Sequence, residues 1–220
     1  MAGKHTRVNI LFEGQTEETF VRELLAPHLA GFEVWLKPRI VETSKGHKGG
    51  AVSYAKIVRQ VKLWCLQDQS AQVTTLFDVY GLPADFPGVS TWNAGLPAQP
   101  QVVALEATLA ASVGQPNLIP YLQLHEYEAL LFSDLNAFAY ADVPLRTIAH
   151  WQAELAQFAG PEDVNNSPTS APSKRLIARW PAYGTSKPVH GTLIALQIGL
   201  PAIRAKCPRF DDWVNRLEAL

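Results

Sequence analysis

Cysteine is scarce in this chain of 220 residues. Cys65 and Cys207 are the only two, far apart in apolar or turn contexts, which excludes a disulfide framework and a cysteine-built zinc centre. Excess charge is lacking too. Nineteen Lys and Arg against twenty Asp and Glu leave a net charge of −1, so any contact with nucleic acid must come from a local patch or from a partner. No apolar run approaches the roughly 20 residues of a membrane span, and Met1 to Arg7 lead straight into a strand rather than into a signal peptide, so a cytoplasmic protein with no membrane association is expected. Internal repeats and long low-complexity segments are also missing. What remains is a folded chain, 47% hydrophobic and 18% charged, able to bury a substantial core.

The richest stretch is Arg7 to Phe20. Val8, Ile10, Leu11 and Phe12 form the short apolar run of a strand covered on both faces, and it stops on Glu13 and Gly14. A turn at Gly14, a cap at Thr16 and first-turn acids Glu17 and Glu18 then predict a helix, with Phe20, Val21, Leu24 and Leu25 on its apolar face. The stretch lacks the second glycine and the lysine of a Walker phosphate loop. Glu13 ends an apolar strand, a place where a carboxylate must be solvated, paired or bound to metal. In an open α/β sheet, ligands lie beyond the carboxyl ends of the strands.

Further strands are expected over 32–41, interrupted at Pro38, over Val73–Phe77, and over Asn117–Leu124, irregular at Pro120. Tyr54, Ile57, Val58, Val61 and Trp64 have the spacing of a covering helix, and Val102–Val113 reads as another. The polar loop 42–50 offers Lys45, His47 and Lys48 as a basic tip, and the long connection Asp85–Pro100 lacks a period. The third strand ends on Asp78. Strand ends about 4.8 Å apart can bring Glu13 and Asp78 together for a hard divalent cation. The fourth runs into His125-Glu-Tyr-Glu128, where a helix starting at once would put His125 and Glu128 on one face and Glu126 at the sheet edge. The second histidine of a zinc-protease helix is missing. Beyond Phe132 the signals are helical: Ile148–Phe158, Lys174–Trp180, His190–Ile198 and Phe210–Leu220. The expected organisation is an α/β core over 1–135 with a helical extension over 136–220 packed on it.

Taken in order, Glu13-Gly-Gln-Thr-Glu17, Phe77-Asp-Val-Tyr-Gly-Leu-Pro83, His125-Glu-Tyr-Glu128, Ala171-Pro-Ser-Lys-Arg175, Tyr183 with Lys187, His190-Gly191 and Ile198-Gly-Leu200 resemble the Toprim-like proteins. Within them the likeness is to an uncharacterised bacterial family, distantly similar to OLD-type nucleases, and it covers nearly the whole chain. The resemblance implies a small parallel sheet flanked by helices whose acids bind Mg²⁺ or Mn²⁺. Carried over, Glu13 matches the first Toprim glutamate and Asp78 the first acid of Asp-x-Asp. Tyr80 stands where the second acid would be, so Glu126 or Glu128 would have to supply the missing charge. Lys174 or Lys187 would face a phosphate. The activity implied is metal-dependent hydrolysis of DNA or RNA in a bacterial defence or repair system, with a separate ABC/OLD-type ATPase as partner, since this chain has no phosphate loop. A non-catalytic subunit that regulates such an ATPase is the rival reading. A phosphatase or phosphotransferase acting on nucleotides is a third, and a homo-oligomer is left open. The Gly160–Ser173 loop with Lys174 and Arg175 is expected to form a phosphate-facing wall, through donors such as Asn165, Asn166 and Ser167.

Overall fold

The computed structural model describes residues 5–41, 53–164 and 168–220. The basic tip at Lys45, His47 and Lys48 and the donors Asn165, Asn166 and Ser167 lie outside the described residues. The architecture is α/β: a parallel sheet in the order β2-β1-β3-β4, flanked by helices and followed by a mainly helical C-terminal region. The strands are β1 (Thr6–Phe12), β2 (Val34–Ile40), β3 (Gln72–Asp78), β4 (Leu118–Ile119) and β5 (Leu122–Gln123).

β2 runs unbroken through Pro38, contrary to the expected interruption. It is an edge strand, so the missing N–H of Pro38 costs no ladder bond where only one side is paired. Pro120 does break its strand. β4 pairs with Val73 and Thr74, and β5 resumes opposite Phe77 and Asp78. Between them the Thr75 hydroxyl accepts from the N–H of Tyr121 (3.0 Å) and donates to its carbonyl (2.8 Å), so a side chain replaces the lost ladder.

The two crossovers leave β1 on opposite faces. Val8, Ile10 and Phe12 join one cluster with α1 (Gln15–Phe20), and Leu11 joins another with α3 (Tyr54–Gln67) and α4 (Ala98–Val113). Between α1 and α2 (Ala26–Ala30) the helix widens into one π turn, Val21–Leu25, in which Ala26 N–H bonds Val21 C=O. That turn accommodates Pro27, whose ring would otherwise meet the carbonyl four residues back.

The remaining helices are α5 (Glu128–Leu131), α6 (Leu145–Leu155), α7 (Pro172–Arg179), α8 (Ala182–Thr185), α9 (Lys187–Ile198), α10 (Leu200–Lys206) and α11 (Pro208–Glu218). α4 starts at Ala98, earlier than its apolar spacing suggests, because Pro100 fits a first turn whose N–H groups have no partner anyway. The helices after residue 135 share one core with β1: Trp151, Tyr183, Ile194, Phe210 and Trp213 are buried with Val8, Ile10 and Phe12. Each such side chain contributes about 1.5–3 kcal/mol. Trp213 also donates to Thr74 Oγ1 (2.9 Å), which ties α11 to the centre of the sheet.

Candidate active site at the sheet switch point

The order β2-β1-β3-β4 reverses direction between the paired strands β1 and β3, the topological switch point at which open α/β sheets place a ligand crevice beyond the strands' carboxyl ends. Glu13 follows β1 and Asp78 ends β3, so the two acids flank that crevice. α1 begins immediately afterwards and adds Glu17. Gly14 is its N-cap in an extended conformation that any residue adopts (φ −130°, ψ 174°), and Thr16 is buried inside the helix rather than capping it. A Cβ at position 14 would come within 2.7 Å of Glu17 Oε2, so any larger residue there would displace that carboxylate.

After Asp78 the chain makes a 3₁₀ turn, Val79–Gly81, whose Tyr80 N–H donates to the carbonyl of His125 (3.1 Å). The same turn puts Gly81 under Glu13, where a Cβ would lie 3.1 Å from Glu13 Oε2. His125 is left-handed at φ +65°, and the helix starts only at Glu128. The expected shared helical face of His125 and Glu128 therefore does not form. Instead the bend at His125 sends Glu126 and Glu128 toward the crevice. Burial lowers the His125 pKa to about 4, against a hydrogen bond to the main chain of Glu162, so its imidazole is neutral.

Helices from the C-terminal region close the site. The backbone N–H of Ser173 in α7 donates to Glu126 Oε2 (2.7 Å) and its hydroxyl to Oε1 (2.9 Å). Lys187, the first residue of α9, donates to Glu128 Oε1 at 2.8 Å, and the Tyr183 hydroxyl donates to the same oxygen at 3.2 Å. Glu128 is buried, only 4% exposed.

The carboxylates act on one another through little water. Asp78 is held well above its ordinary range, first by burial and then by Glu17, Glu128, Glu13 and Glu126. Burial, helped by Glu17, raises Glu13 to about 7. Glu17 and Glu126 are also raised, chiefly by burial, with Glu128 adding to both. Burial works against the charge of Lys187, but Glu128, Glu126 and Asp78 outweigh it and raise its pKa. Asp78 Oδ1 and the Tyr80 hydroxyl are buried without a hydrogen-bond partner.

Among the described residues, no three His, Cys, Asp or Glu side chains stand in cation-ligand geometry. The donor set nevertheless suits a hard cation: it is all oxygen, and Asp78 offers an orphaned carboxylate oxygen to it.

Of the residues singled out in the sequence, Glu13, Asp78, Glu126, Glu128 and Lys187 are brought together. Lys174 is exposed on α7 and Arg175 is spent elsewhere: it pairs with Glu154, donates to Ser170 C=O (2.8 Å) and lies over Phe158. With the Ser173 donors given to Glu126, the start of α7 holds a protein carboxylate, and the expected phosphate-facing wall is not free there. Glu17 is not among the site residues expected from the sequence, and Ser173, expected as a donor to phosphate, instead donates to Glu126. Glu17 reads equally well as a first-turn acid, and the pairing of Ser173 with Glu126 spans 47 positions and leaves no local signal.

A family described as "Domain of unknown function (DUF4276)" matches residues 12–218. The chain belongs to the DUF4276 family. No curated protein and no solved structure matches it. The DUF4276 match begins at the end of β1 and runs through α11, so it includes every residue of the site.

Proposed function

We propose that this DUF4276 protein is a metal-dependent phosphodiesterase acting on DNA or RNA, a Toprim-like nuclease of a bacterial defence or repair system. The observation that carries the reading is the convergence of Glu13 and Asp78 at the switch point, with Asp78 Oδ1 buried and unpartnered. Glu13, Asp78 and Glu17, with Glu126 or Glu128, would hold Mg²⁺ or Mn²⁺. Such an ion would supply charge neutralisation at phosphate and a water made more acidic.

The chain's own groups would do the rest. Lys187 stands at the rim of the cluster, where its ammonium can shift from Glu128 toward a phosphate oxygen and stabilise charge on the leaving side. Ser173 favours the ionised form of Glu126, against burial and Glu128, and would fix its orientation. Tyr80, in the position of the second Toprim acid, would supply a buried hydroxyl rather than a second charge, which favours one ion over two. Incubation of supercoiled and single-stranded DNA and of RNA with Mn²⁺ tests the reading. Cleavage that is abolished by Asp78→Asn supports it, and absence of cleavage for all three substrates overturns it.

A second reading is supported by the partners the acids already have. Glu128 is neutralised by Lys187 and Glu126 is capped by Ser173, as suits a non-catalytic subunit that regulates an ABC/OLD-type ATPase. Co-purification of an ATPase whose turnover depends on this chain, without cleavage, would select it.

A further inference from the structure

The charges of this nearly neutral chain are segregated. On the side of the sheet that carries α3, no helix beyond α3 covers the face of β2 among the described residues, and its outward positions are Trp35, Lys37 and Arg39 instead of apolar residues. Arg39 lies over the Trp64 ring at 4.3 Å and bonds Asn9. Two adjoining hollows, of about 540 and 180 Å³, meet at Trp64 and form one groove between β2 and α3. It is lined by five cations, Arg7, Lys37, Arg39, Lys56 and Arg59, and by one acid, Asp68, which Arg7 already pairs at 2.8 Å. Five cations against one paired acid is a strong local excess in a chain with 19 basic and 20 acidic residues.

The groove also has a direction. One end is at Arg7 and Asp68, and the other is at Ile40, which pairs with Phe12 immediately before Glu13. An anionic polymer laid along it would therefore run toward the carboxyl edge of the sheet, where the acid cluster lies. A single small anion would not need a track of cations. Apolar and aromatic surface interleaves with the charge: Trp64 lines both hollows, Leu63 is exposed, and Trp35 is 51% exposed two residues before Lys37 on the same face of β2. Cations spaced along a groove beside flat side chains suit a polynucleotide strand, with phosphates on the cations and bases on the rings.

We propose that the β2–α3 groove binds a single strand of nucleic acid and feeds it to the sheet edge. The biological sense of this rests on the phosphodiesterase reading, but binding is measured separately from cleavage. The probe is a fluorescein-labelled oligonucleotide about 20 nucleotides long, as DNA and as RNA, followed by anisotropy across a salt series without metal. Lys37→Gln with Arg59→Gln removes two exposed cations for which no partner is found among the described residues. The pair is expected to weaken binding by about tenfold or more and to lower the slope of log Kd against log salt by roughly 1.4, that is, about 0.7 for each phosphate no longer neutralised.

Unchanged affinity and slope in the double variant, with its circular dichroism also unchanged, overturn the groove. So does binding of phosphatidylserine vesicles with no binding of either oligonucleotide. Hydrolysis of bis(p-nitrophenyl) phosphate without oligonucleotide binding sinks the groove and spares the acid site. Groove-dependent binding with no cleavage in Mn²⁺ does the reverse. If only the DNA or only the RNA depends on Lys37 and Arg59, the groove stands and its substrate is named.

Discussion

Lys187 Nζ lies 2.8 Å from Glu128 Oε1, at the first turn of α9, and this ion pair joins the C-terminal helices to the acid cluster. Glu128 is almost wholly buried while Lys187 keeps about a third of its side-chain surface, so the pair is more than a surface contact and less than a sealed one.

Lys187→Met should therefore cost about 1–3 kcal/mol, because a buried carboxylate is left with the Tyr183 hydroxyl alone. Adding Glu128→Gln should recover part of that loss, and urea unfolding of the four members of the cycle measures the coupling. A coupling of zero would mean that the pair has no role in holding α9 to the site.

The metal-free protein should lose stability as pH rises. Folded, Glu13 keeps its proton up to about pH 7, whereas the unfolded chain releases it near 4.5. Between those values the native state binds more protons, so unfolding becomes easier with increasing pH. Glu13→Gln should flatten that part of the profile. Its advantage should reach at most about 3 kcal/mol above pH 7, or roughly 6–12 °C in Tm, and vanish at pH 4.5 and below. Parallel profiles for the two proteins would contradict the assignment.

On the proposed reading, Mn²⁺ should raise the wild-type Tm in proportion to the logarithm of its concentration once it exceeds the Kd, as expected of an ion that binds the folded state and not the unfolded chain. Asp78→Asn should melt at or above the wild type without metal, because one repelling charge is gone, and should lose the Mn²⁺ increment. Differential scanning fluorimetry at several Mn²⁺ concentrations decides it: a variant that is destabilised and still responds to the ion would make Asp78 structural.

Gly81→Ala is a sharper probe of Glu13 than its removal. The backbone at Gly81 is compatible with alanine, but the new Cβ would stand 3.1 and 3.4 Å from the two Glu13 oxygens and push them by a few tenths of an ångström. The expected result is a fold within about 1 kcal/mol of wild type, with the Mn²⁺ increment reduced and any cleavage slowed by about tenfold or more. An unaltered metal response would show that Glu13 does not take part in binding.

The strands were legible where one run of apolar residues is buried on both faces: Val8–Phe12 and Val73–Phe77 lie where their composition puts them, and Glu13 and Asp78 could be placed at one edge from that alone. Irregularities were read less well. Pro38 and Pro120 carry the same local message, and both lie in edge strands with one neighbour: β2 pairs along its length with β1, whereas the strand of Pro120 bonds β3 at its two halves with the proline between them, a difference of register that the sequence does not carry. The left-handed turn at His125 is invisible to periodicity, because nothing in His-Glu-Tyr-Glu forbids an immediate helix. Glu17 could be weighed but not assigned, since a first-turn acid and a site acid occupy the same position on the same helix. Contacts across the chain, such as Ser173 with Glu126, arise from tertiary packing.

The interruption at Pro120 divides the site between two supports. Glu13 and Asp78 are fixed to β1 and β3, which exchange main-chain hydrogen bonds along their shared length. Glu126 and Glu128 hang from β5, a two-residue strand beyond a gap spanned by one threonine hydroxyl, and their other anchors are Ser173, Tyr183 and Lys187. The first pair behaves like a jaw of a vice bolted to the bench, and the second like the jaw on the screw. Replacing Thr75 by valine would loosen the thread without touching any carboxylate, so the site's grip and its chemistry can be tuned by different residues.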